Sequence, residues 1–130
     1  LGKKIHELDF SRKYPFHERA ELKEYITHLR ENIVLVAEKD KEIIGFTNAM
    51  ILSHHAGGWC MIDNLAVESH RRHKGTGTQL LKELYKELKK RNILYVQILE
   101  EAHHKKTRCF WKEKGFKETK TFLWAEREIR

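Results

Sequence analysis

Between Ile62 and Leu81 lies the segment whose residue types could do chemistry. An apolar run ends at Val67, Glu68-Ser69 leads into a basic loop (His70-Arg71-Arg72-His73-Lys74), and Gly75-Thr76-Gly77 opens an amphipathic stretch at Thr78-Gln79-Leu80-Leu81. Glycines at such a turn let backbone N–H groups converge without Cβ obstruction, and a helix start adds a partial positive charge. Together they make an anion cradle suited to a pyrophosphate. Two familiar phosphate motifs do not fit. The dinucleotide fingerprint needs a third glycine where Leu80 stands, and a P-loop needs Gly-Lys-Ser/Thr where the chain reads Gly77-Thr78-Gln79. The plain alternative is a glycine-rich turn with no ligand. The order strand, basic loop, glycines, helix argues for the cradle.

The elements around this loop follow from periodicity. Residues 1–10 carry Ile5, Leu8 and Phe10 among charges, and Pro15 disfavours helix in the residue before it. Leu22, Tyr25, Ile26 and Leu29 repeat at helical spacing from Glu18 to Arg30, a stripe that reads as a packed face. Ile33–Glu38 and Ile43–Leu52 are strands joined by the polar turn Lys39-Asp40-Lys41-Glu42, hence a hairpin. Ser53–Gly58 is a loop, and its histidines are read as solvated. Trp59–Val67 is the third strand. A helix then runs to about Arg91 with Leu81, Leu84, Tyr85 and Leu88 on one face. Asn92–Glu100 is a fourth strand, Lys105–Lys114 a helix stopped by Gly115, and Thr119–Glu126 a last strand. This order predicts an α/β fold with a mixed central sheet and flanking helices. The hairpin should be antiparallel and the strand–helix–strand unit around the glycine loop parallel. The chain of 130 residues is read as a single domain, 1–130.

The loop resembles the acyl-coenzyme A loop of the GCN5-related N-acetyltransferases (GNAT), Arg/Gln-x-x-Gly-x-Gly/Ala after a strand ending in Val. Arg72, Gly75 and Gly77 fill those positions. A second patch, Cys109-Phe110-Trp111-Lys112-Glu113-Lys114-Gly115-Phe116, looks like the family's late signature Phe-Tyr-Glu-Lys-x-Gly-Phe. Local physics accounts for much of it: Gly115 can terminate the helix in the left-handed conformation, with Phe116 folding back on Phe110 and Trp111. Three positions depart from the pattern. Trp111 stands where the family often has a general-acid Tyr, His104 where an Asn often contacts pantetheine, and Thr107 where Ala is usual. An indole N–H cannot supply that proton. The resemblance implies the GNAT fold without its first strand, which would precede residue 1. The end after Phe116 looks short for the last two strands. The chain lacks an initiating Met and begins at Leu1 in what reads as helix, so a fragment of a longer protein is expected.

The resemblance implies transfer of an acetyl group from acetyl-coenzyme A to an amine, through a tetrahedral oxyanion from which a thiolate leaves. Leu65, Ala66 and Val67 would offer backbone hydrogen bonds to the acetyl and pantetheine groups. Arg72, His73, Lys74, Gly75, Thr76, Gly77 and Thr78 would hold the pyrophosphate, with His104 and Trp111 lining the pantetheine channel. Strand alternation puts Met61, Asp63, Leu65 and Val67 on one face. Asp63, four before Val67, matches the position where some members, such as the spermidine acetyltransferases, hold a Glu base. It is the candidate catalytic residue, as a base or as a group orienting water or the ammonium. A carboxylate is a weak base. An α-amine has a reference pKa of roughly 8 against about 10.4 for lysine, which favours α-amines and weakly basic small amines as acceptors.

Composition bounds the partners. The net charge of +7, from 26 basic and 19 acidic residues, favours anionic ligands such as a polyphosphate cofactor. The basic residues are interspersed with acids rather than gathered with aromatics in one stripe, which argues against nucleic acid. No apolar stretch reaches membrane-spanning length and no signal peptide opens the chain, so the cytoplasm is expected. Cys60 and Cys109 read as reduced thiols. The nine histidines show no Cys/His spacing of zinc type, so no structural metal is expected. The competing reading is a non-catalytic acyl-coenzyme A-binding regulator of the same fold. A basic nucleic-acid-binding domain is the remoter one. Homodimerisation through the terminal strand stays open.

Overall fold

The computed structural model describes residues 32–52 and 58–130. The segments expected at 1–10 and 18–30, and the histidines of the 53–57 loop, lie outside the described residues. The chain divides into two compact units between Leu99 and Glu100.

In the first unit, β1 (Asn32–Lys39), β2 (Glu42–Ile51), β3 (Gly58–Val67) and β4 (Ile93–Ile98) form one sheet in the order β1-β2-β3-β4. β1 and β2 pair antiparallel across a two-residue turn, Lys39 facing Glu42. Asp40 and Lys41 both have positive φ, 51° and 64°, the condition for a turn whose twist matches the strands. β2 and β3 are antiparallel, and β3 and β4 parallel. The parallel step needs a crossover, and α1 (Thr76–Lys90) supplies it. Leu80, Leu81, Leu84 and Leu88 of α1 are buried together with Ile33, Ala49, Cys60, Ile62 and Ile93 of the sheet. Each buried leucine contributes roughly 1.5–3 kcal/mol. Tyr85, expected on this face, is half-buried, and Leu80 takes a buried place instead. Cys60 is a free thiol pushed up to about 11 by burial, so it stays protonated.

The second unit, Glu100–Arg130, contains α2 (Lys105–Glu113). The helix stop expected at Gly115 is present: φ is 91°, Gly115 N–H donates to Lys112 O at 3.0 Å, and Phe116 N–H donates to Trp111 O at 3.0 Å. This is the reciprocal pair of a left-handed helix cap, with its apolar contact between Phe116 and Trp111, ring centroids 5.0 Å apart. The strand expected over Thr119–Glu126 does not form. Residues 116–130 are irregular, and Phe122, Leu123 and Trp124 are exposed. A strand exists only through its ladder, and among the described residues this segment has none. Three consecutive large apolar residues also break the two-residue alternation that a half-buried strand requires.

Arg108 organises this unit. Its Nε and Nη2 donate to Glu118 at 2.7 and 2.9 Å, and Nη1 donates to Ala102 O at 2.7 Å. The hydrogen bonds from Arg108, with its charge, hold the Glu118 carboxyl at about 2, well below its ordinary 4.5. A depressed carboxylate contributes stability that is present above the unfolded pKa and lost as pH falls through the folded one. The Arg108–Glu118 contribution should therefore fade between about pH 4.5 and pH 2. Acid titration followed by near-ultraviolet circular dichroism should show this unit loosening over that window. In Arg108→Gln the step should move up to the ordinary carboxylate range. Among the described residues no helix is long and apolar enough to cross a membrane.

Candidate active site

The site in the first unit is built from the C-terminal end of β3 and the N-terminal end of α1. β3 pairs with β4 from Gly58 only as far as Ile62, which faces Ile98. β3 itself continues to Val67. Of its last five residues, Asn64 to Val67 pair with β2 on one side, and none from Asp63 to Val67 has a β4 partner on the other. Along a strand the N–H and C=O groups point alternately to the two sides. The open edge therefore presents backbone donors and acceptors beside Leu65, Ala66 and Val67.

The ladder ends where β3 is irregular. Against β2 the register runs Asn48 to Asn64 and then Ala49 to Ile62, leaving Asp63 without a partner residue. Asp63 is a β-bulge, which bends the strand, increases its twist and re-aims the side chain. The unbroken alternation expected for Trp59–Val67 fails here, because two residues of β3 occupy one step of β2. Asp63 is exposed. The fully buried Thr47 donates its hydroxyl to Asn64 O at 2.8 Å, pinning the backbone beside the bulge.

The loop between β3 and α1 is fixed from within. Ser69–Arg71 form a short 3-10 turn. Glu68 is 5% exposed, and its carboxylate sits 3.6 Å from Arg71 Nε and 3.5 Å from His70 Nε2. Arg72 donates from Nε to Val67 O at 2.9 Å, so its side chain ties the loop back to the strand end. His73 (φ 62°) and Gly75 (φ 85°) are left-handed, turning the chain sharply into α1. A Cβ built on Gly75 would meet nothing within 4 Å. The positive φ by itself favours glycine at this position.

α1 starts with its donors free of side-chain caps. Gly75 is the N-cap residue, and no acid lies in the first turn. The first helical bond runs from Gln79 N–H to Gly75 O at 2.9 Å. The N–H groups of Thr76, Gly77 and Thr78 therefore lie ahead of the intrahelical ladder, beside the loop that carries Arg71, Arg72, His73 and Lys74. Helix-start donors and an aligned helix dipole follow directly on a basic loop, an arrangement that suits a polyanion.

Sequence reasoning missed three supports of this arrangement. Gly45 faces Val67, and a Cβ there would come within 2.8 Å of Ala66 O and 3.5 Å of Leu80. Its lack of a side chain lets α1 lie close to β2 and β3, yet in the sequence it reads only as a strand glycine. Glu68 reads as one more loop charge, and the bulge at Asp63 has no signature without the register of β2.

His104 and Trp111 belong to the second unit. His104 is the residue before α2, exposed, with Nε2 3.4 Å from Glu101 Oε2. Trp111 is 8% exposed, and its ring meets Phe110 and Phe116 edge to face at centroid distances of 5.2 and 5.0 Å. It is the centre of that unit's apolar cluster.

Residues 30–118 match the family model of the acetyltransferase (GNAT) domain. The chain belongs to the GNAT acetyltransferase family. Solved structures share its fold. The aminoglycoside N-acetyltransferase AAC(6')-Iy, bound to a coenzyme A–acetylneamine bisubstrate analogue, aligns over 89% of this chain and 84% of its own with a TM-score of 0.75 at 18% identity. An aminoglycoside acetyltransferase from an uncultured soil metagenomic sample, in complex with sisomicin, gives 0.79 at 15% identity over 98% and 86%. The PaiA N-acetyltransferase of Thermoplasma acidophilum, in complex with coenzyme A, gives 0.73 at 24% identity over 79% and 64%. No curated protein matches the chain significantly by sequence.

Proposed function

We propose that this domain is a cytoplasmic enzyme that transfers an acetyl group from acetyl-coenzyme A to a primary amine, of a small molecule or a protein α-amine. The observation that carries the reading is the pairing of an open β3 edge, Asp63 to Val67, with an uncapped helix start five residues beyond the basic turn at Ser69–Arg71. A strand edge suits the amide groups of a pantetheine arm, and the helix start suits a pyrophosphate. The residues present fit the acyl donor. The N–H groups of Thr76, Gly77 and Thr78 take the pyrophosphate, with Lys74 and Arg71 adding charge. Arg72 and His73 set the shape of the turn. Backbone groups of Leu65, Ala66 and Val67 hold the pantetheine and the thioester carbonyl. An N–H of this edge stabilises the oxyanion as it forms, in the place where negative charge develops.

Asp63 stands at the bulge beside that edge and receives the amine. It attracts an ammonium, orients it or a water, and takes up the proton released as nitrogen attacks. Positioning of this kind can contribute roughly 7–11 kcal/mol by itself. With a carboxylate as the base, a weakly basic amine is the easier acceptor to deprotonate. The amines in the neighbours' structures support a small-molecule acceptor as a class. An amine-panel acetylation assay with mass detection tests the reading. Tight acetyl-coenzyme A binding with no product from any amine would support the regulator instead.

The leaving thiolate is protonated by solvent in this reading. A thiol with a reference pKa near 8.5 leaves readily without a side-chain acid. Trp111, embedded between Phe110 and Phe116, serves packing rather than proton transfer. Trp111→Tyr should therefore destabilise the chain by roughly 0.5–3 kcal/mol, as is typical of a disturbed core contact, seen as a lower melting temperature, while turnover stays near the parent's. A gain of about tenfold or more in kcat would mean that a proton donor had been limiting.

A further inference from the structure

The turn ahead of α2 gathers three side chains of metal-ligating type. Glu101 Oε2 is 3.2 Å from His103 Nε2 and 3.4 Å from His104 Nε2. The two imidazoles meet edge to face with centroids 4.3 Å apart, and one donor atom from each of the three residues lies within 4.8 Å of the others. The backbone beneath is held in place. His104 N–H donates to Glu101 O and Lys105 N–H to His103 O, both at 3.0 Å. Arg108, itself clamped by Glu118, donates to Ala102 O at 2.7 Å.

We propose that Glu101, His103 and His104 form a surface site for a divalent transition-metal ion of the zinc class, with two imidazoles and one carboxylate as ligands. The donor spacing suits such an ion. Metal–ligand bonds of about 2.0–2.1 Å in a tetrahedron place neighbouring donors about 3.3 Å apart, and the two nitrogen–oxygen edges here measure 3.2 and 3.4 Å. The donor set selects the class. Imidazole suits zinc, copper and nickel, whereas calcium and magnesium need more oxygen ligands than one carboxylate supplies. All three side chains are exposed, which leaves the fourth position to water. Lys105, Lys106 and the positive end of α2 oppose a cation, so the site binds more weakly than a closed structural one. Adjacent histidines fall outside the paired Cys/His spacings by which zinc sites are found in a sequence, so the cluster emerges only once the turn folds.

The test is titration of the full chain with Co2+ in the absence of coenzyme A, whose thiol would compete. One equivalent should produce the visible absorption of a tetrahedral cobalt site, and Zn2+ should displace it. His103→Ala and Glu101→Gln should each weaken binding by roughly tenfold or more, the loss seen even for a supporting partner. Unchanged affinity in both variants would overturn the proposal and place the metal on others of the nine histidines. Ring-nitrogen magnetic resonance of the unsubstituted chain gives an independent reading. Zn2+ should shift the Nε2 signals of His103 and His104, and saturation without those shifts would equally sink it. Neither outcome depends on the chain being an acetyltransferase.

Discussion

Gly77→Glu should abolish acetyl-coenzyme A binding and leave the fold intact or slightly more stable. Gly77 lies in the first turn of α1, which has no acidic residue and no side-chain cap. A carboxylate there meets the free N–H groups and the positive end of the helix dipole, a pairing that stabilises by about 0.3–1 kcal/mol. Replacing glycine within a helix adds up to about 1 kcal/mol more. The same carboxylate competes with the pyrophosphate for those donors and repels it. A variant that melts no earlier than the parent yet shows no heat of binding in a calorimetric titration is the expected result. Pantetheine, which lacks the pyrophosphate, separates the contributions: its weak binding at the β3 edge should be equal in variant and parent. Unchanged affinity for acetyl-coenzyme A would falsify the assignment of the anion site to this turn.

This prediction rests on a segment that was legible before folding, and the reason is local. A glycine with positive φ, a basic loop and a helix start are all written within the twelve residues that form them. The strands were legible for a similar reason. Ile33, Val34, Leu35 and Val36, or Ile93 to Val96, are β-branched and apolar runs that few other conformations accommodate. Their ends moved by only one or two residues in the structure. What was not legible depends on partners. The bulge at Asp63 is a mismatch between β2 and β3, and neither strand shows it alone. The role of Gly45 depends on Leu80 and Ala66 arriving beside it. Thr119–Glu126 failed in the opposite sense: its residues have strand propensity, but propensity without a ladder leaves the backbone unpaired, and the segment is irregular. The GNAT resemblance, carried by two short motifs, agrees with the family model that spans residues 30–118. It could not say that Trp111 lies at the centre of an apolar cluster, because substitution of a motif residue shows only what is missing.

Asp63→Asn should lower kcat by about 10²-fold, the usual range for a general base, with acetyl-coenzyme A affinity unchanged. The bulge that isolates Asp63 from the β2 register also sits where the β4 ladder stops, so the side chain projects at the point where the open backbone edge begins. Asparagine keeps the shape and hydrogen-bonding capacity of the site and removes only the negative charge. Two roles are then separable by pH. A base that takes the proton during attack is missed at every pH, so kcat stays depressed throughout. A group that only gathers the ammonium is missed in binding, so KM for the amine rises and kcat does not. Glu68 and the loop it braces lie outside this reasoning, so cofactor binding serves as the internal control. Equal turnover of variant and parent across about pH 6–9 would remove Asp63 from the mechanism. Catalysis would then rest on the backbone edge and the positioning of the two substrates, with the acceptor amine arriving already deprotonated.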